Sequence, residues 1–156
     1  MAWILWGVVG LFLSSTANAE IVGTGTGVGA VISRPSGVAI SHKHAATAYV
    51  QGFAGWDMQS AMVNFKVDHI WTIGQPLLPP INGIALPFYA GIGGCAMTHL
   101  DGLSETIVAG RLPIGVLVSP INKPVEVYVE IAPELALIPA TQTTLTGAFG
   151  VRFYPF

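Results

Sequence analysis

Residues 125–137, Val-Glu-Val-Tyr-Val-Glu-Ile-Ala-Pro-Glu-Leu-Ala-Leu, decide the fold. The odd positions carry Val125, Val127, Val129, Ile131, Pro133, Leu135 and Leu137, and the even ones Glu126, Tyr128, Glu130, Ala132, Glu134 and Ala136. A strict period of two over this length is a strand with one apolar face and one acidic face. A strand that crosses a bilayer needs about 9–11 residues, apolar toward lipid and polar toward the interior of a closed barrel. The expected fold class is all-β: an eight-stranded antiparallel transmembrane β-barrel.

Composition points the same way. The 156 residues are 52% hydrophobic and 9% charged, whereas ordinary soluble domains carry about 25% charged residues. The length suits one domain, since eight strands of about ten residues plus turns fill it. A formal net charge of −2 gives no reason to expect nucleic acid as a partner. The single Cys95 excludes an intramolecular disulfide and a multi-thiolate zinc site, and nothing in the chain asks for a cofactor.

The one long apolar run, Trp3 to Leu13, is followed by Ser14, Ser15 and Thr16 and then Ala17-Asn18-Ala19. An apolar segment ending in small residues is what signal peptidase reads, so residues 1–19 are expected to be a signal peptide cleaved after Ala19, with the barrel domain at 20–156. No Lys or Arg precedes the run, so the usual positive n-region is missing. Eleven apolar residues are short for a spanning helix, which needs about 20.

Pro, Gly, Asn and Ser clusters divide the rest into alternating segments. Segment 21–34 puts glycines at spacing two on one face, leaving room inside a narrow barrel. Segment 38–44 sets Ser41 and Lys43 opposite Val38 and Ile40, and 47–56 sets Tyr49, Gln51 and Phe53 opposite Val50, Ala54 and Trp56. Segment 60–71 opposes Val63, Phe65 and Val67 to Asn64, Lys66 and Asp68, and ends at Trp71. After the proline-rich connection 72–84 come strands at 86–98 and 106–119, the second with Arg111 inward, then 125–137 and 143–156. The last offers Leu145, Phe149, Val151 and Phe153 to lipid and Arg152 to the interior. Trp56, Trp71 and Phe156 are the candidate interfacial aromatics.

The inward positions collect Lys43, Lys66, Arg111 and Arg152 against Asp68, Glu126, Glu130 and Glu134. Buried charges are tolerated when paired, so a zipper of Glu126 and Glu130 with Arg111 and Arg152 is the expected lumen network. The three glutamates also suit a cation-binding lumen or a proton path, but the nearby arginines favour a structural zipper. An eight-stranded interior is just wide enough for side chains to fill, which argues against an open pore.

The run Pro124–Pro139, together with Gly147-Ala-Phe-Gly-Val-Arg-Phe-Tyr154, Arg111-Leu-Pro-Ile-Gly-Val-Leu117 and Gly37-Val-Ala-Ile-Ser41, resembles a family of small bacterial outer-membrane barrels. The resemblance spans most of the chain after residue 19, and its specific parts are the Glu-x-x-Pro strand and the Gly-Val-Arg ending. More loosely the chain is similar to OmpX- and OmpA-type barrels. The resemblance implies fold and an outer-membrane location more than an activity, since members are mostly of unassigned function. It implies outer-membrane lipid and the barrel-assembly machinery as partners, the latter through a C-terminal strand ending in Phe156. Tyr154-Pro155 puts that residue one step out of register.

Some outer-membrane barrels resemble lipid A deacylases and proteases, so lipid modification is one alternative. Its candidates are Ser41-His42-Lys43-His44, Asp68-His69, and His99 with Asp101, Ser104 and Glu105. A nucleophile and its base must converge, and these histidines sit where ordinary rim and loop histidines do, so no enzyme is expected. A metal site from His42, His44 and His69 is the weaker alternative, because spacing two on one strand is suggestive only when a third ligand is known to lie near. The other alternative is a soluble exported lipocalin-like barrel enclosing an apolar ligand, for which charges are too sparse on the remaining face. With the N-terminus in the periplasm, the outward connections are 34–37, 57–60, 98–105 and 139–143, where a surface ligand would bind.

Overall fold

A computed structural model describes residues 25–74, 83–100, 105–120 and 123–155. The expected signal peptide, Phe156, Asp101 and Ser104 lie outside the described residues. The described chain is all-β and antiparallel, with ten strands: β1 (Gly25–Ile32), β2 (Ser36–Ala45), β3 (Ala48–Asp57), β4 (Met62–Ile73), β5 (Ile84–Ala85), β6 (Phe88–His99), β7 (Ile107–Arg111), β8 (Ile114–Pro120), β9 (Val125–Ile138) and β10 (Gln142–Phe153). No helix among the described residues is long and apolar enough to cross a membrane.

The sheet closes on itself. β10 pairs with β9 from Gln142 to Phe153 and also with β1, where Phe149 faces Ile32 and Phe153 faces Val28. Consecutive pairings β1–β2, β2–β3, β3–β4 and β4–β6 carry the ladder round one side. β7 and β8 both lie between β6 and β9 and complete it.

The sequence predicts single strands at 86–98 and 106–119; the structure breaks the second at Pro113, and ahead of the first, which starts only after Pro87, it adds a short strand at Ile84–Ala85 that reaches into the predicted connection 72–84. β5 and β6 share one register against β8, with Ile84 opposite Pro120 and Phe88 opposite Val116, and the break between them is Leu86-Pro87. β7 and β8 likewise keep one register against β6 across Leu112-Pro113. A proline donates no ladder hydrogen bond, so each of these two positions in the ring is counted as two strands. The proline carbonyls still accept across the gaps: Gly91 N–H donates to Pro113 O at 2.8 Å and Leu117 N–H to Pro87 O at 2.9 Å. Ten strands therefore occupy eight positions around the closed sheet.

Alternation fixes what lies inside. Val31, Ala39, Tyr49, Phe53, Ile70, Tyr89, Leu117 and Tyr128 form the apolar part of the interior. Val28, Ile40, Phe65, Val67, Ile92, Ile114, Val129 and Ile131, each about half exposed or more, face outward. Large inward rings sit over glycines of the neighbouring strand: Tyr128 covers its register partner Gly150, and Tyr89 covers Gly115. A Cβ at either glycine would run into the ring.

Candidate functional site: the charged interior

The even positions of β9 place Glu126, Glu130 and Glu134 at successive heights on the inner face, each buried. β2 contributes Lys43, β4 Lys66 and Asp68, β7 Arg111 and β10 Arg152, all inward by the same alternation and none more than 5% exposed. They gather into two clusters.

The larger cluster is built on Arg111. Its Nη1 lies 2.5 Å from Asp68 Oδ2, its Nη2 2.7 Å from Glu130 Oε1 and its Nε 3.3 Å from Glu134 Oε1. Lys66 Nζ approaches Glu134 at 3.7 Å. The Tyr89 hydroxyl donates to Glu130 at 2.9 Å, and the Thr146 hydroxyl to Glu134 at 2.8 Å. Two cations thus face three carboxylates. The planar guanidinium suits this position because its donors fan out in a fixed fork.

The smaller cluster lies toward the end of the sheet where β2 turns into β3. Lys43 Nζ is 2.5 Å from Glu126 Oε1, and Arg152 Nε is 4.0 Å from Glu126 Oε2. Arg152, with no exposed surface, donates to Tyr49 Oη at 3.1 Å and lies 4.7 Å from the Tyr49 ring centre and 4.3 Å from that of Tyr128. Lys43 sits 4.2 Å over the Tyr154 ring, whose hydroxyl pairs with Ser41 at 3.0 Å. Here two cations face one carboxylate and are supported by aromatic faces, which attract cations most when water is excluded. The two clusters offset one another in charge, four cations against four carboxylates.

The remaining candidates separate. Ser41 is buried and bonded to Tyr154, while His42, one step away along β2, and His44, three steps away, point outward. Asp68 is inside with Arg111 and the adjacent His69 is on the outer side. The sheet itself therefore stands between Ser41 and His42 and between Asp68 and His69. His99 is half-buried at the end of β6, and Glu105 is exposed. No group of three or more His, Cys, Asp or Glu side chains among the described residues is arranged to hold a metal. Trp56 and Trp71, 53% and 45% exposed, face outward near opposite ends of the ladder.

Alternation turns Tyr49 and Tyr128 inward as packing residues; that Tyr49, Tyr89, Tyr128 and Tyr154 meet the charges is not legible from it, because those contacts run between strands. Outside, Gly52 and Ala54 leave a valley between Val28 and Ile40 on one side and Phe65 and Val67 on the other, an apolar groove of ≈ 650 Å³.

No family model matches this sequence, and no curated protein matches it. Among solved structures, the chain is similar to the N-terminal β-barrel domain of Pseudomonas aeruginosa OprF, with a TM-score of 0.57 and 14% sequence identity over 82% of this chain and 95% of that one. At that identity the likeness is one of fold.

Proposed function

We propose that the chain is a small bacterial outer-membrane β-barrel protein whose lumen is filled and charge-paired, with a structural or surface-interaction role instead of an open pore or an enzyme. The observation that carries this reading is the inverted distribution of polarity on a closed sheet: charges inside, and valines, isoleucines, leucines and phenylalanines outside around the ring. In water that outer surface would be a contiguous apolar patch far larger than soluble monomers expose. In a bilayer it is the expected lipid face, and closure removes the unpaired edges that lipid forbids. The groove over Gly52 and Ala54 then fills with acyl chain. The fold likeness to an outer-membrane barrel domain supports the same location.

The lipocalin-like alternative requires an apolar interior, and the interior carries Lys43, Lys66, Asp68, Arg111, Glu126, Glu130, Glu134 and Arg152. The deacylase-like alternative loses its Ser41–His42 and Asp68–His69 neighbours to opposite faces. Lipid is accordingly the proposed partner, with the assembly machinery engaging β10 during insertion.

The deciding experiment is gel mobility of the detergent-extracted outer-membrane fraction with and without boiling. A boiling-dependent shift of protein in that fraction is expected. Soluble periplasmic protein with one mobility would overturn the proposal.

A further inference from the structure

His44 on β2 and His69 on β4 belong to neither interior cluster. They lie on the outer face near the end of the sheet where β2 turns into β3, with β3 running between their strands. Adjacent strands are about 4.8 Å apart, so imidazoles on next-but-one strands meet only by reaching over the strand between. The outward residues of β3 here are Ala48, paired with Ala45 and Trp71, and Val50, paired with His42 and His69, so His44, at the register shift between Lys43 and Ala45, reaches His69 diagonally across β3.

The two Nε2 atoms are 3.4 Å apart, the ring centres 5.2 Å apart and the ring planes inclined by 27°. A good N–H···N hydrogen bond would bring the nitrogens to about 3.0 Å with the donor pointing along the line between them. Here the nitrogens are farther apart, yet the ring centres are too close for the two axes to be collinear. The two separations therefore set the ring axes at an angle to one another. A tetrahedral ion held by two imidazoles at about 2.05 Å sets its nitrogens about 3.35 Å apart and, with each ring centre about 1.15 Å behind its nitrogen, its ring centres about 5.2 Å apart. Both separations fit that arrangement.

We propose that His44 and His69 form a two-histidine site for a transition-metal dication of the zinc and copper class, the ions that imidazole nitrogen suits best. Water completes the coordination shell, because no third His, Cys, Asp or Glu joins the pair among the described residues. Trp71 braces the site: its ring meets that of His69 edge-on, with centres 4.4 Å apart and planes at 76°. The bound ion ties β2 to β4 across β3 at the rim of the closed sheet. His42, the next outward residue on β2, has its Nδ1 3.0 Å from Thr26 Oγ1 and is left out of the proposed pair.

The test uses untagged full-length protein folded in detergent micelles, with Zn²⁺ followed by calorimetry and Cu²⁺ by quenching of tryptophan fluorescence. One ion per chain is expected. His44→Ala and His69→Ala each weaken binding at least tenfold, and His42→Ala stays within twofold of the parent. Trp71→Phe removes most of the quenching and leaves Zn²⁺ binding in place. Variants are compared only if they keep the folded gel mobility, and His44→Gln and His69→Gln replace any alanine variant that does not. No saturable binding, a loss confined to one of the two histidines, an equal loss in His42→Ala, or quenching that survives Trp71→Phe would each overturn the proposal.

Discussion

Arg111 holds three carboxylates from two other strands, Asp68 on β4 and Glu130 and Glu134 on β9, and is itself 3% exposed. Replacing it leaves those carboxylates with Lys66 alone. Breaking a buried pair by removing one partner costs about 3–5 kcal/mol, and Arg111→Met is expected to lose that much in urea unfolding of the folded protein followed by tryptophan fluorescence. Adding Asp68→Asn and Glu130→Gln should recover part of the loss, because the orphaned charges go with it; a triple variant no more stable than the single one would contradict the pairing. Gly150 makes a different case, since its Cβ would meet the Tyr128 ring. Overpacking of this kind costs about 1–3 kcal/mol, so Gly150→Ala should unfold at lower urea than the parent, and an unchanged midpoint would show that the ring moves aside freely. At this scale the sequence was partly legible. Alternation assigns Ser41 inward and His42 outward without any structure, whereas partner choice, such as Arg111 taking Asp68, depends on register between strands, which period two leaves open.

Among the elements, β9 has the clearest pattern and the longest ladder, fourteen residues from Val125 to Ile138. Its outward side offers a depth gauge. On the lipid face of a barrel, arginine costs about 2–4 kcal/mol at the bilayer midplane and about 0–1 near the interfaces. Val129→Arg, in the middle of the outward band, should therefore be far more destabilising than Leu137→Arg, near the turn, when both are unfolded from lipid vesicles. Equal effects would argue against a membrane around this strand. β9 was legible because its side chains alternate without interruption; its register with β10, which sets Gln142 opposite Ala136 and not opposite Ile138, does not follow from the length of the turn at 139–141. The stretches 84–99 and 107–120 were less so. Pro87 and Pro113 keep their places in the inward and outward alternation, so the pattern runs through them while the hydrogen-bond ladder does not. Side-chain period reports which way a residue faces; whether its backbone donates is a separate property, and proline separates the two.

For the whole molecule, closure of the sheet leaves one global property of the proposed barrel open to test, its orientation. The turns at 33–35, 58–61 and 139–141 lie at one end of the ladder, and the turn at 46–47 at the other. The proposed sidedness puts the first set outside the cell and the second in the periplasm. Cys95 is buried, and its removal by Cys95→Ser gives a background without native thiols. In that background Ser60→Cys and Thr141→Cys should react with a membrane-impermeant maleimide on intact cells, while Thr47→Cys reacts only after the outer membrane is permeabilised. The opposite pattern would invert the barrel. It would also move the histidine pair, which shares its end with Thr47, from the periplasmic rim to the cell surface, where the ion it meets is set by the medium and not by the cell. Labelling of all three positions on intact cells would instead mean that no membrane separates the two ends, and the outward apolar band would then lose its explanation by lipid.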